Sequence, residues 1–359
     1  MIKINDSKIL VLCLLILNII SLAALYSSLH QEGEFMHQNI FYRQIVWIII
    51  FWIAIYGFSF INYRLYFDSS IVIYIISIVL LIAVKLFGKE VMGAQRWFSF
   101  FGLNFQPSEF SKLAVVMLLA RIFSEETTGR VVINKVVVPF LLVVLSGFLV
   151  FRQPDLGTAS ILFLLFFMVG FSVRSIKKRY LVAIIIAGIV LAPLGWHKLR
   201  DYQKKRLAVF VNPNVDPLGA GYTIIQSKIA VGSGKIIGKG FLAGTQNQFN
   251  FLPERHTDFI FTVIAEEFGF LGCLALLSIY CIILRIIYKR IKQAKDSFAQ
   301  LLSLGIYSIF FLHIFINIGM TMGIIPVVGL PLLFLSYGGT HLIMTAIFLG
   351  IFFNITRQC

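Results

Sequence analysis

Phe251-Leu-Pro-Glu-Arg-His-Thr-Asp258-Phe-Ile-Phe-Thr-Val-Ile-Ala-Glu-Glu-Phe-Gly269 sets Glu254, Arg255, His256 and Asp258 directly ahead of an apolar run that continues to about residue 285. A run of roughly 20 apolar residues crosses the ~30 Å hydrocarbon core of a bilayer as a helix. Acid, base and cation therefore meet at a membrane–water boundary, where charge is costly to keep unless it has a task.

The rest of the chain reads the same way. Its mean hydropathy is +0.90, with 59% hydrophobic and 13% charged residues, against about 45–50% and about a quarter in soluble domains. Alternating strand patterns are absent, which argues against a transmembrane barrel. The expected fold is an all-α polytopic membrane protein of ten spans, at about 9–27, 45–62, 70–87, 108–123, 136–151, 157–173, 181–195, 259–285, 300–321 and 341–355. With no internal repeat and no low-complexity tract, a single membrane domain over 1–359 is the simplest organisation. The first run lacks a small-residue cleavage site and reads as a span, not a leader. Cys13, Cys273 and Cys281 lie within apolar runs and Cys359 ends the chain, so neither disulfide nor zinc is expected.

Net charge is +15. In a membrane protein this excess does not point to nucleic acid: about half of it marks the short loops that set orientation, and the rest lies in one long polar loop, where it is expected to face anionic substrate groups or anionic lipid. The segments Arg174–Arg179 and Arg285–Lys295 hold much of the short-loop charge, whereas the short loops of the opposite side hold only Arg43, Lys89, Arg96 and Arg152. The basic side is cytoplasmic, which puts both termini inside. The longest loop, about 196–258, then faces outward. Its short apolar stretches argue for partial order, as amphipathic helices lying at the interface.

Several outer-side motifs have both a structural and a chemical reading. Asp258 opens a span, so it is either a helix cap or a working carboxylate. At helical spacing it shares a face with Thr262, Ala265 and Gly269, small residues that permit close approach. Arg255 and His256 either tune Asp258, bind an anion, or are solvated. At least one of Glu266 and Glu267, deeper in the span, is expected to pair with a cation. In Gln106-Pro-Ser-Glu-Phe-Ser-Lys112, Pro107 suits a first helical turn, and Glu109 and Lys112 are three apart and able to pair. Arg96 and Trp97 lie in a short segment upstream. In Arg152-Gln-Pro-Asp155-Leu-Gly-Thr158, Asp155 is turn chemistry, a partner for Arg152, or a metal ligand. Gly232-Ser-Gly-Lys-Ile-Ile-Gly-Lys-Gly240 fails as a Walker A loop because the glycine spacing is wrong and no Ser or Thr follows Lys239. A backbone cradle for a diphosphate stays open. Pro326–Thr340, rich in Pro and Gly yet apolar, suggests broken backbone dipping into the membrane, and it contains Ser336.

At these residues the chain resembles the SEDS family (shape, elongation, division and sporulation proteins). Five motifs match in order, Gly93–Trp97, Gln106–Lys112, Gln153–Thr158, Phe251–Gly269 and Pro326–Gly339. Pro253-Glu-Arg-His-Thr-Asp258 is similar to the elongation branch; the division branch has a small residue at the Arg255 position. Lys235 departs from the family's glycine. The resemblance implies a ten-helix peptidoglycan glycosyltransferase of the bacterial cytoplasmic membrane. Such an enzyme polymerises lipid II at the outer leaflet during elongation and rod-shape maintenance, with Asp258 at the essential aspartate position. It also implies undecaprenyl-diphosphate-linked glycan as second substrate, and as partners a class B penicillin-binding protein and the elongation machinery.

The reaction needs a base near the attacking hydroxyl and positive charge near the departing diphosphate. Asp258 is the expected base. Arg96, Lys112, Arg152 and Arg255 are the expected diphosphate-binding residues, and Glu109, Asp155 and Ser336 complete the site. A divalent cation (Mg or Mn) on Asp258 or Asp155 would share the charge. No nucleotide, haem or zinc is expected. Two rivals remain: a flippase for the lipid-linked precursor, favoured only by Glu266 and Glu267, and a non-catalytic scaffold for the cross-linking enzyme.

Overall fold

A computed structural model describes residues 2–30, 34–91, 94–100, 103–125, 133–196, 201–217, 219–249 and 251–358. The helices in chain order are α1 (Ile2–Leu29), α2 (Glu34–Phe60), α3 (Tyr63–Phe87), α4 (Pro107–Ser124), α5 (Val138–Phe151), α6 (Leu156–Ser172), α7 (Lys178–Trp196), α8 (Asp201–Val211), α9 (Ala220–Ser233), α10 (Thr245–Gln248), α11 (Ile260–Ile291), α12 (Ser297–Thr321) and α13 (Gly339–Gln358). Six of these contain stretches long and apolar enough to cross a membrane: Asp6–Leu29, Asn39–Phe60, Tyr63–Phe87, Ile260–Ile291, Ser297–Thr321 and Gly339–Gln358. Two apolar helices, Lys135–Phe151 and Leu156–Ser172, are shorter. The segment from 201 to 248 contains α8, α9, α10 and a 3₁₀ turn at Pro213–Val215, so the long loop is partly ordered as its apolar stretches suggest.

Strands between α3 and α4 add to the all-helical expectation. β1 (Lys89–Val91), β2 (Ala94–Phe100) and β3 (Leu103–Phe105) pair antiparallel in that order. Lys89 faces Trp97 across the first pair and Ser99 faces Asn104 across the second. Arg96 is thus a strand residue. Strands of three to seven residues are too short for a period-two pattern to stand out from their apolar surroundings.

The chain packs as two compact units. One comprises Met1–Ile49, Pro193–Ile286 and His313–Gly338; the other comprises Ile50–Ala192, Ile287–Leu312 and Gly339–Cys359. In the second unit α4 is apolar nearly all round from Leu113 to Ala120, and it is buried all round. A helix of this kind belongs in a protein core. Its first turns, with Glu109 and Lys112, are buried with it.

In the first unit two stretches of backbone leave regular structure and are re-satisfied by protein. α11 breaks at Gly269, whose φ of 63° and ψ of −159° are non-helical. The 15 residues from Phe270 to Leu284, ahead of the basic segment Arg285–Lys295, reach only about 22 Å at about 1.5 Å each, so the break lies inside the apolar run. It also ends the proposed common face of Asp258, Thr262, Ala265 and Gly269: Asp258 lies ahead of the helix and Gly269 lies outside helical geometry.

The second irregular stretch is Pro326–Gly338. Leu330, Leu332, Leu333, Phe334, Leu335 and Ser336 are buried. Their carbonyls find donors from distant elements: Asn317 Nδ2 on Leu330 O (2.7 Å), His313 Nδ1 on Pro331 O (3.3 Å), Tyr280 OH on Leu333 O (2.6 Å) and Ser21 Oγ on Leu335 O (2.6 Å). Non-helical backbone inside a membrane protein needs such partners.

Candidate functional site

The expected site residues divide between the two units: Arg255, Asp258 and Ser336 in the first, and Arg96, Glu109, Lys112, Arg152 and Asp155 in the second.

Asp258 is half-buried in a turn two residues before α11. Its chain neighbours are tied down. Ser336 Oγ donates to Thr257 O (2.5 Å) while accepting from Leu332 N (2.8 Å), and Tyr337 N donates to His256 O (3.0 Å). Asn317 Nδ2 donates to Asp258 O (2.8 Å). The Asp258 carboxylate faces Gly329, where an added Cβ would lie 3.1 Å from Oδ2. Gly329 has a φ of +72°, a left-handed conformation that favours glycine. Glycine at this position lets the backbone lie close to the carboxylate without a side chain crowding it. Ser336 serves this site by bracing two loops. Arg255 is buried, and its Nε donates to Ser28 O at 2.7 Å, which ties the Asp258 turn to the end of α1.

The glycine-rich segment does not form a diphosphate cradle. Its backbone joins the break in α11: Lys239 N donates to Glu266 O (3.0 Å), Gly240 N to Glu267 O (3.0 Å), Phe270 N to Lys235 O (2.9 Å) and Leu271 N to Ile236 O (3.1 Å). The N–H groups that a phosphate would need are already engaged with carbonyls that the break would otherwise leave orphaned. A Cβ at Gly269 would lie 2.3 Å from Gly238 N, so only glycine admits this contact. The expected partner for a deep carboxylate is Lys239, whose Nζ lies 2.7 Å from Glu266 Oε1. The same oxygen accepts from Gln246 N (3.0 Å) and Thr245 Oγ1 (3.1 Å), and Ser27 Oγ donates to Glu267.

In the second unit Lys112 Nζ and Glu109 Oε1 pair at 2.7 Å, both buried. Glu109 Oε2 lies 3.2 Å from Nδ1 of His341, near the start of α13. Asp155 caps α6, Oδ1 accepting from Thr158 N at 3.0 Å, and its Oδ2 accepts from Gln106 Nε2 and Ser108 Oγ, both at 3.3 Å. Arg96 Nε donates to Gln153 O (2.8 Å) and its Nη2 to Pro154 O, bracing the turn ahead of Asp155. The pairing of Arg152 with Asp155 gives way to another arrangement: Arg152 is exposed, its guanidinium 5.6 Å over the Phe148 ring. Capping and the Gln106–Ser108 contacts engage Asp155, and a planar guanidinium is well suited to an aromatic face. Gly93, the start of one motif, lies outside the described residues.

Sequence reasoning missed Asn317, His341 and Gly329. A polar residue inside an apolar run, as Asn317 is within α12, was the available signal.

Comparison with known proteins bears on the family and the fold. The FtsW/RodA/SpoVE family of cell cycle proteins matches residues 7–359. The peptidoglycan glycosyltransferase MrdB of Escherichia coli K12 is 38% identical over 357 residues, covering 98% of this chain and 94% of the relative. A chain from a peptidoglycan synthase complex that coordinates polymerization and crosslinking superimposes with a TM-score of 0.83 at 28% identity, covering 97% of each chain. The rod shape determining protein RodA of Thermus thermophilus superimposes with a TM-score of 0.72 at 27% identity, covering 97% of this chain and 96% of that one. With a match over nearly its whole length, the chain belongs to the FtsW/RodA/SpoVE family of multi-pass membrane proteins.

Proposed function

We propose that this chain is a peptidoglycan glycosyltransferase that polymerises lipid II during cell elongation, with Asp258 as general base. The observation that carries the reading is the setting of Asp258. Its carboxylate stands on a turn braced from Asn317, Ser336 and Tyr337, and lies against Gly329, where a side chain would crowd it. Fixed geometry around a half-buried carboxylate is what proximity catalysis requires of a base.

In the reaction Asp258 accepts the proton of a sugar 4-hydroxyl. The hydroxyl oxygen bonds to the anomeric carbon of the second disaccharide, and the bond to undecaprenyl diphosphate breaks with inversion. The diphosphate leaves with the electron pair and needs positive charge beside it. Arg96, Lys112, Arg152 and Arg255 are the proposed sources. Arg96 and Arg255 also hold main chain, Lys112 is held by Glu109, and Arg152 is the exposed one. A divalent cation taking part would bind at Asp258. The Asp155 oxygens accept hydrogen bonds that cap and brace a helix, which does not fit a metal ligand.

The ten spans run with both termini cytoplasmic and the Asp258 turn at the outer leaflet of the bacterial cytoplasmic membrane, as the charge asymmetry of the loops supports. The partner is a class B penicillin-binding protein. Glu266 and Glu267, the features that favoured transport, are held by Lys239 and Ser27, which removes that support.

Wild type and Asp258→Asn, each purified with the class B partner and given lipid II with crosslinking blocked, test the reading. Polymer from the wild type and none from a folded variant is expected. Near-normal turnover by the variant would remove Asp258 from the mechanism.

A further inference from the structure

Asn317 sits in the last turns of α12 with no exposed surface. Its Nδ2 donates to Asp258 O at 2.8 Å and to Leu330 O at 2.7 Å. Both partners are carbonyls, so the orientation of the amide is dictated by chemistry: only the nitrogen can serve them. Asn317 Oδ1 is buried and has no hydrogen-bond partner within the described residues. A buried acceptor left in this state is unfavourable, and an apolar side chain of the same size would suit an apolar span better. Packing therefore does not account for an asparagine here. What the amide does, and a leucine could not, is join the main chain of Asp258 to the Pro326–Gly338 segment. That segment carries Gly329, whose Cβ position lies 3.1 Å from the Asp258 carboxylate. Ser336 and Tyr337 tie the neighbouring Thr257 and His256 to the same segment, and Asn317 bonds to Asp258 itself, fixing its main chain relative to Gly329.

We propose that Asn317 is a positioning residue for the reaction at Asp258, holding the carboxylate at its working distance from the Gly329 wall. The proposal rests on the reading of Asp258 as general base. Asn317 does not touch the reacting atoms, so its loss acts on turnover and leaves substrate binding almost intact. A misplacement of about 1 Å at a reacting group costs roughly 100-fold in rate.

The test measures kcat and KM for lipid II with the purified complex of this chain and its class B partner, in wild type, Asn317→Leu, Asn317→Gln and Asp258→Ala. Asn317→Leu is expected to lower kcat by about 10- to 100-fold with KM changed by less than about twofold. Asn317→Gln, which keeps the donor on a longer arm, is expected to recover part of the loss. An Asn317→Leu enzyme with wild-type kcat overturns the proposal, and so does one whose defect lies in KM. Should Asn317→Leu fail to fold, Asn317→Ser, which lacks the reach to bridge both carbonyls, replaces it with the same expected split. Turnover in Asp258→Ala would overturn the base reading itself. An inactive Asp258→Ala beside a fully active Asn317→Leu would overturn only the role of Asn317.

Discussion

Substituting Gly269 by alanine should detach the glycine-rich segment from α11. The new Cβ would lie 2.3 Å from Gly238 N, 2.7 Å from Ile236 O and 2.8 Å from Gly234 O, all backbone atoms that cannot swing aside. It would also meet a φ of +63° and ψ of −159°, a conformation essentially confined to glycine. Two effects add. Backbone strain of this kind costs about 1–3 kcal/mol. Relieving the clash by moving the segment gives up the hydrogen bonds Lys239 N to Glu266 O, Gly240 N to Glu267 O, Phe270 N to Lys235 O and Leu271 N to Ile236 O. At about 0.5–1.5 kcal/mol each these contribute about 2–6 kcal/mol. The total, about 3–9 kcal/mol, is comparable with the whole stability of many domains, about 5–15 kcal/mol.

The assay is the folded fraction after heating in detergent, read by size exclusion, together with limited proteolysis between residues 234 and 241. Gly269→Ala should melt at markedly lower temperature and be cleaved in that segment while the wild type is not. Gly57→Ala is the control, since nothing lies within 4 Å of its Cβ position and Gly57 is inside a helix. It should be neutral or stabilising by about 0.5–1 kcal/mol. A Gly269→Ala protein that melts with the wild type and resists cleavage would refute the account of the break.

Three further outcomes are expected. Charge reversal at one end of the Glu266–Lys239 pair should destabilise by about 3–5 kcal/mol for Glu266→Lys, which buries unmatched charge, and the double swap with Lys239→Glu should recover much of the loss in a thermal double-mutant cycle. Asp155→Ala should lose about 0.5–2 kcal/mol of stability through the α6 cap, and Asp155→Asn less; polymerisation by Asp155→Asn equal to wild type would place Asp155 among the bracing residues, as its contacts indicate. Glu109→Leu should destabilise more than Lys112→Met in melting experiments, because Glu109 faces two buried groups, Lys112 and His341, whereas Lys112→Met leaves Glu109 with His341.

Much of the candidate site was legible because its chemistry is local in sequence. Glu109 and Lys112 pair at the spacing one helical turn dictates, and Asp155 caps the helix that its own Gly157 and Thr158 begin. Pro326–Thr340 read as broken backbone from its Pro and Gly content; the backbone is irregular as far as Gly338, with Leu330 and Leu332–Ser336 buried, and α13 starts at Gly339. Elsewhere the same side chain or amide can serve a ligand or a neighbour, and only the fold reveals the neighbour. Arg96, read as a diphosphate binder, also holds main chain: two of its nitrogens donate to the carbonyls of Gln153 and Pro154, over fifty residues away. The N–H groups of Lys239 and Gly240 read as a phosphate cradle, yet they close a helix break that no local pattern announces.

Hydropathy and loop charge by themselves determined that this chain is a helical membrane protein, because transfer to lipid acts on each segment separately. The sequence likewise singled out Asp258, since a carboxylate at a span boundary stands out from its apolar surroundings. Tertiary structure alone decided how that carboxylate is held. Its supports come from Asn317, Ser336, Tyr337 and Gly329, and the wall they build is fixed in turn by Ser21 and Tyr280. Hydrogen bonds spanning 53 to 314 residues of chain leave no periodic trace, because each is satisfied only once the fold has brought its donor and acceptor together.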